Sequence, residues 1–272
     1  MTRADSTTEP LRYREHAPNG ALASLVRCYW TVRGRAAALD PAINRVLPDG
    51  CMDVIFDLHE PADGGGMIIG TMLTASVFHH TGEIDMLGVR FVPGAAPLFL
   101  RTAAGELTGA TLPASAVWPD TSDLAGRLLE GTDTRQRLVL LDRYLLDQLK
   151  PAAESDAALR GMALIERARG QLRVEMLCRS LGINERTLQR SFANQVGLTP
   201  KQAIRVMRFR HAVTLLQGSP RGSLASIALS CGYADQSHFT REFRDLADVS
   251  PLEFARERGL VGFVQDAAYT ET

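Results

Sequence analysis

One short pattern occurs twice in the C-terminal part of the chain, in register, and it restricts that part to two helical hairpins on a shared scaffold. The first copy runs Leu177-Cys178-x-x-Leu181-Gly182-Ile183 and the second Ile227-Ala228-x-x-Cys231-Gly232-Tyr233. In each, apolar residues at i, i+1 and i+4 make a helical stripe, and glycine follows where the chain must turn through positive φ. A second helix is predicted after each turn, N-capped by Asn184 in one copy and Asp235 in the other. Leu188 and Phe192 share a face of the first such helix. Phe239, Phe243 and Leu246 share a face of the other, after one extra turn residue. Both copies close alike, with Pro200 after Thr199 and Pro251 after Ser250, as at helix starts with proline in the first turn. A single hairpin of this kind is common in helical proteins. Two in register, joined by one helix from about Pro200 to Leu216, are far more specific.

The free faces of the two second helices carry donors. At about 100° per residue, Ser237, His238, Arg241 and Arg244 fall opposite the aromatic stripe, with Gln236 in the first turn. Arg186, Gln189 and Arg190 fall opposite Leu188 and Phe192. A short helix held down by apolar residues, with such a face, suits the major groove of DNA, where arginine pairs with guanine and glutamine with adenine. A solvated charged face is the plainer alternative. Net charge is −1, which argues against a polyanion partner until its distribution is read. From Ala158 to Leu260 there are 16 basic residues against 9 acidic, and elsewhere 14 against 22. A basic module on an acidic partner fits phosphate binding confined to one part. Lys201, Arg205, Arg208, Arg210 and Arg244 are the phosphate candidates.

The stretches LCRSLGINERTLQRSFANQVGLTPKQAIRVMRFRHAVTLL and IALSCGYADQSHFTREFRDLADVSPLEF resemble the AraC/XylS-type transcription regulators over roughly Ala158 to Gly259. The GY-x-x-x-S-x-F-x-R-x-F core of the second is the most specific part. Asp248 stands where that family has glycine, and aspartate tolerates the left-handed conformation better than most residues. Leu159 to Arg169 would be the leading helix. The resemblance implies an all-α tandem helix-turn-helix domain at 158–260 that binds operator DNA. Arg186, Gln189, Arg190, Gln236, Ser237, His238 and Arg241 would read bases. It also implies a regulator acting in the cytoplasm, with a small-molecule effector, RNA polymerase and a homodimer through the N-terminal part as further partners.

The N-terminal part, residues 13–150, reads as α+β: strands first, helices after. Strands are predicted at Val26–Val32, Asn44–Leu47, Met52–Leu58, Met67–His79 and Leu87–Val92, with residues 1 to about 12 unstructured. Pro48-Asp49-Gly50 is predicted to turn a hairpin. Helices are predicted at Ala95–Leu100, Thr121–Leu129 and Thr134–Leu149, the last striped by Leu138, Leu141, Leu145 and Leu149, as core or dimer contact. Residues 151–157 read as a linker and 261–272 as a tail. RVLPDGCMDVIFD and GVRFVPG resemble the cupin-like sensor domains that precede such modules, which implies a β-barrel or half-barrel with helices. Arg45, Asp49, Asp53 and Arg90, set among apolar positions, are ligand candidates or internal salt bridges.

Other chemistry is disfavoured. Cys28, Cys51, Cys178 and Cys231 lack finger or CxxC spacing and read as reduced core thiols. They cannot supply the four-cysteine zinc site of DNA-repair methyltransferases that share this module. His59 and His79-His80 lack cupin metal spacing, and no catalytic triad, P-loop or dinucleotide fingerprint occurs. No cofactor, metal or catalytic residue is expected. The alternative function is a small-molecule binding protein or enzyme in residues 13–150, localised by the DNA module. No apolar run is long enough to span a bilayer, and MTRADSTTEP is no signal peptide.

Overall fold

The computed structural model describes residues 11–36, 42–61, 65–118, 120–149, 157–218 and 223–256. The expected tail, most of the expected linker and the first ten residues lie outside them. Antiparallel strands β1 (Arg12–His16) and β2 (Val26–Ala36) open the chain, with Tyr13 opposite Val32 and Glu15 opposite Trp30. Then come β3 (Ala42–Val46), β4 (Met52–Asp57), β5 (Met67–Ile69), β6 (Ser76–His80), β7 (Gly82–Phe91) and β8 (Thr111–Pro113). Six strands form one sheet in the order β1-β2-β7-β4-β5-β8, while β3 and β6 pair only with each other. In β4 the burial alternates, with Met52, Val54 and Phe56 inward, the period expected of a strand covered on one face.

The sheet is open between β1 and β8, so of the barrel and half-barrel expected it is the open form, with the β3–β6 ribbon separate. Three expectations about single segments need correction. Pro48-Asp49-Gly50 does not close a hairpin, because β3 pairs with β6 whereas β4 pairs with β5 and β7. The turn carries the chain from the ribbon to the main sheet. Asp49 shapes it by accepting the Cys51 N–H at 2.8 Å, and Gly50 takes φ +79°. The Met67–His79 run breaks after Ile69, where Gly70 lies against the Leu107 carbonyl and leaves no room for a Cβ, and strand resumes at Ser76. Residues 95–100 hold only a 3-10 turn, Ala96–Leu98, and β1 was hidden by its charged sequence RYREH.

Helices α1 (Ala104–Leu107), α2 (Thr121–Glu130) and α3 (Thr134–Gln148) complete the first half. Its core joins Val54, Phe56, Val89, Phe91, Phe99 and Trp118 to Leu141 and Leu145 of α3, with Leu138 and Leu149 half-buried against it. The leucine stripe is therefore core. Trp118 meets Phe91 at 6.4 Å and Tyr144 edge-on at 5.2 Å between centroids. Mid-strand Gly88 is where the Trp30 indole lies on the sheet; a Cβ there would sit 2.0 Å from the ring.

The second half is helical: α4 (Ala157–Arg167), α5 (Val174–Leu181), α6 (Glu185–Gln195), α7 (Pro200–Gln217), α8 (Leu224–Ser230), α9 (Gln236–Ala247) and α10 (Pro251–Arg256). One core runs through it, including Leu188 and Phe192 of α6, Phe209 of α7, and Phe239 and Phe243 of α9. Gly161 lets α4 lie directly on Phe192, whose ring would stand 2.8 Å from any Cβ there.

The two halves touch at corresponding places in the two repeats. Counting back from Pro200 and Pro251, Val196 of the first repeat corresponds to Ala247 of the second. Buried Thr71 donates to the Val196 carbonyl at 2.7 Å, and Arg45 donates to the Ala247 carbonyl at 3.0 Å. Thr108 adds a bond to the Gly197 carbonyl at 2.7 Å, and the Ala75 N–H one to the Leu246 carbonyl at 2.7 Å. Arg27 pairs with Glu166 of α4 at 2.6 Å. The ends of α6 and α9 are thus both held by the N-terminal half.

Candidate nucleic-acid interface and cavity

The duplication extends to individual hydrogen bonds. Gly182 (φ +70°) gives its N–H to the Arg179 carbonyl, and the Ile183 N–H reaches the Cys178 carbonyl at 3.2 Å. Gly232 (φ +78°) bonds in the same way to Leu229, and the Tyr233 N–H to Ala228 at 3.0 Å. These bonds satisfy the last carbonyls of α5 and α8 and aim the chain into the next helix. Asn184 then accepts the Thr187 N–H at 2.9 Å, and Asp235 the His238 N–H at 2.7 Å. Past α6 and α9, Gly197 (φ +77°) and Asp248 (φ +60°) occupy equivalent left-handed positions. Thr199 with Gln202, and Ser250 with Glu253, make reciprocal caps on the helices that follow. The N-caps Asn184 and Asp235 and the left-handed Asp248 stand where the sequence predicts them, whereas the partners Gln202 and Glu253 were not anticipated.

Most of the base-reading candidates lie on exposed helix faces, as helical spacing predicts. Arg186, Gln189 and Arg190 are exposed on α6, with Leu188 and Phe192 fully buried beneath. Gln189 donates to Glu185 at 3.0 Å along the same face. On α9, Gln236, Ser237 and Arg241 are exposed and line a shallow depression with Thr240, Arg244 and Asp245. His238 differs. Its ring stands edge-on to Tyr233 at 5.3 Å and its Nε2 lies 3.9 Å from Glu242, so it leans back toward the helix.

The phosphate candidates divide. Lys201 and Arg244 are exposed. Arg205 is instead gripped by two carboxylates of α9, Glu242 at 3.2 Å and Asp245 at 2.9 Å. Arg208 stacks over the Tyr233 ring at 5.3 Å. Arg210 is half-buried, and its charge helps hold the Asp49 carboxyl down. Arg205 and Arg208 are thus engaged by groups on the helical scaffold. A basic residue inside a core-forming helix gives no sequence signal for that, because its partners, Glu242 and Asp245, lie two helices away.

The ligand candidates converge only in part. Arg90 is 2% exposed and lies 3.2 Å from Asp53 and 3.9 Å from Asp49. Burial alone would raise the Asp49 carboxyl, but Arg90, Arg210 and the Cys51 N–H hold it below the ordinary range. Burial pushes the Asp53 carboxyl up, and Arg90 offsets this only partly. Trp30, which sequence reading did not single out, donates its indole N–H to Asp53 at 2.7 Å. Asp49 and Asp53 border a cavity of about 300 Å³ between the main sheet and the β3–β6 ribbon. Arg45 instead faces the end of α9, as the bond to Ala247 shows.

The four cysteines are free, Cys28, Cys51 and Cys231 buried and Cys178 half-buried. Among the described residues no cluster of His, Cys, Asp or Glu is arranged to hold a metal ion, and no helix is long and apolar enough to cross a membrane.

Residues 14–113 match a family described as a domain of unknown function (DUF6597), and residues 177–257 a helix-turn-helix domain family. The HTH-type transcriptional regulator MtrA of Neisseria gonorrhoeae is 27% identical over 132 residues, 45% of this chain and 43% of that protein. The HTH-type transcriptional activator RhaS of Citrobacter koseri is 33% identical over 125 residues, 45% of this chain and 44% of that one. The matches therefore span less than half the length of these relatives. A solved structure of a probable AraC family transcriptional regulator from Rhodopseudomonas palustris is 28% identical, covering 38% of this chain and 98% of that one, with a TM-score of 0.36. With its duplicated hairpins and shared caps, the C-terminal module matches a helix-turn-helix domain family and is similar to AraC-type DNA-binding domains, and it is joined in one chain to a segment that matches the DUF6597 family.

Proposed function

We propose that this chain is a sequence-specific DNA-binding transcription regulator whose N-terminal half senses a small molecule. One observation carries the reading. The two helices after the two equivalent turns are anchored by buried apolar residues and turn Arg186, Gln189, Arg190, Gln236, Ser237 and Arg241 to solvent. Such helices, entering successive major-groove turns about 34 Å apart, would read bases, while Lys201 and Arg244 would neutralise phosphates. Residues 158–260 act as the reading unit and 13–150 as the sensing unit. The bonds from Thr71 and Arg45 to the ends of α6 and α9 support a direct route between them. RNA polymerase and a second copy of the chain, through the N-terminal half, are the further partners of a regulator working in the cytoplasm.

The test is selection of binding sites from a random duplex pool with the full chain, followed by affinity measurements on the selected operator. Replacing Arg190 or Arg241 by alanine is expected to cost about 1–3 kcal/mol of specific binding and to relax preference at one base position. A pool without enriched sequence, or two variants that bind as tightly as the parent, overturns the reading.

A further inference from the structure

The cavity between the main sheet and the β3–β6 ribbon has a chemical character of its own. Its volume of about 300 Å³ lies at the small end for drug-sized ligands. Trp30 and Phe78 present aromatic surface, and Met67, Met72 and Met86 present flexible thioethers that adapt to an irregular apolar shape. The charged groups around it are all of one sign: Asp49, Asp53, Asp57 and Glu60, with no arginine or lysine among the described lining residues. His80 also lines the cavity; burial lowers its pKa, with the Asp57 charge pulling the other way, so it offsets them weakly.

The four carboxylates are not equivalent. Asp49 and Asp53 share the buried Arg90 behind the wall, so their charge is largely met. Asp57 and Glu60 stand elsewhere on the lining, and none of the described arginines or lysines pairs with them. Among the described residues, the hydrogen bonds that Asp57 accepts come from the backbone N–H groups of His59 and Glu60, each at 2.9 Å. A carboxylate ligand would enter against uncompensated negative charge. A cation would gain attraction from these groups and from the aromatic faces.

We propose that the cavity takes an organic cation, an apolar or aromatic body carrying one protonated amine or quaternary ammonium group. This rests on the effector-sensing reading above and narrows its ligand. Val46, Gly70 and Met72 of the lining adjoin Arg45 and Thr71 in sequence, the residues that grip the ends of α9 and α6. An occupant therefore presses on the segments that hold both reading helices.

Calorimetry on the full chain with three probes of matched shape tests this: phenylbutylammonium, phenylbutanol and phenylbutyrate. The ammonium is expected to bind about tenfold more tightly than the alcohol, with the butyrate weakest. Combined Asp57→Asn and Glu60→Gln should abolish the preference and leave alcohol binding unchanged, since asparagine keeps the acceptor for the two N–H groups. The inference is overturned if the butyrate equals the ammonium, if the ammonium does not bind, or if the double variant keeps the preference. Operator affinity measured with each probe separates this from the broader reading. An ammonium that binds with the expected preference but leaves DNA affinity unchanged defeats the sensing reading alone. An alcohol or butyrate that binds best and shifts DNA affinity defeats the cation alone.

Discussion

Replacing Arg205 by alanine separates two roles that a basic residue near DNA can have. A phosphate contact contributes about 0.9 to the slope of log affinity against log salt on B-DNA. A residue that only positions the reading helix contributes nothing to it. Arg205 bonds Glu242, whose side chain is 12% exposed, at 3.2 Å, and Asp245, 57% exposed, at 2.9 Å. Solvent screens the second pair strongly, so the loss of both should lower stability by only about 1 kcal/mol. The variant also leaves Glu242 without its cation, loosening α9 against α7 and weakening binding to a selected operator by about tenfold or less. Fluorescence anisotropy over a salt series gives both quantities. The expected result is a weaker complex with an unchanged salt slope, beside Lys201→Ala and Arg244→Ala controls in which the slope falls by about 0.9 each. If the Arg205 variant lowers the slope as much as these controls, the guanidinium leaves its carboxylates for DNA and the scaffold assignment is wrong.

The paired left-handed positions make a matched comparison. Asp248→Ala should destabilise by about 1 kcal/mol in chemical denaturation, and Asp248→Gly should not. Gly197→Ala should cost more than Asp248→Ala, because its Cβ would also lie 2.5 Å from Thr108 Oγ1 and displace the bond to the Gly197 carbonyl; equal costs would show that the contact between the halves is inconsequential. Burial lowers the His211 pKa from the ordinary 6.5, as it does for His16 and His80. The unfolded chain then binds the proton more tightly, so stability is full above that value and falls as pH drops through it. Thermal midpoints should decrease below pH 6.5, more shallowly in His211→Gln; an identical pH profile for that variant would remove His211 from the account. Arg45→Ala combined with Thr71→Val should leave operator reading intact but blunt any effector's influence on it, and an undiminished response would rule out this route.

What could be read from the chain depended on whether its causes were local. Gly182, Gly232, Asn184, Asp235 and Thr199 act within a few residues of themselves, and each occupies the position that its chemistry required. The helical repeat was legible for the same reason, since its apolar stripes recur at fixed spacing. The β half resisted because pairing is non-local. Nothing near Ser76 says that β6 joins β3 and not the main sheet, and nothing in RYREH announces a strand. Gly70 meets the Leu107 carbonyl and Gly88 the Trp30 indole, and both partners are far off in sequence. Exposure on α6 and α9 follows from helical spacing, apart from His238, whereas the partners of Arg205 and Arg208 lie on other helices and leave no local signal.

The contact between the halves sets a ceiling on regulation. Thr71 to Val196, Arg45 to Ala247, Thr108 to Gly197 and Ala75 to Leu246 are four hydrogen bonds between the halves that end at the last turns of α6 and α9. Each is worth about 1 kcal/mol net, and a ligand can shift an equilibrium only by its differential affinity for the two states. An effector that alters one or two of these bonds while leaving the rest therefore changes DNA affinity by about 5- to 30-fold, inside the usual span of couplings between sites. Because Thr71 and Arg45 bond equivalent carbonyls in the two repeats, on the proposed function one displacement would act on α6 and α9 together. A response confined to one half-site of the operator, or one exceeding roughly a thousandfold, requires a mechanism other than these bonds, such as a change in oligomeric state.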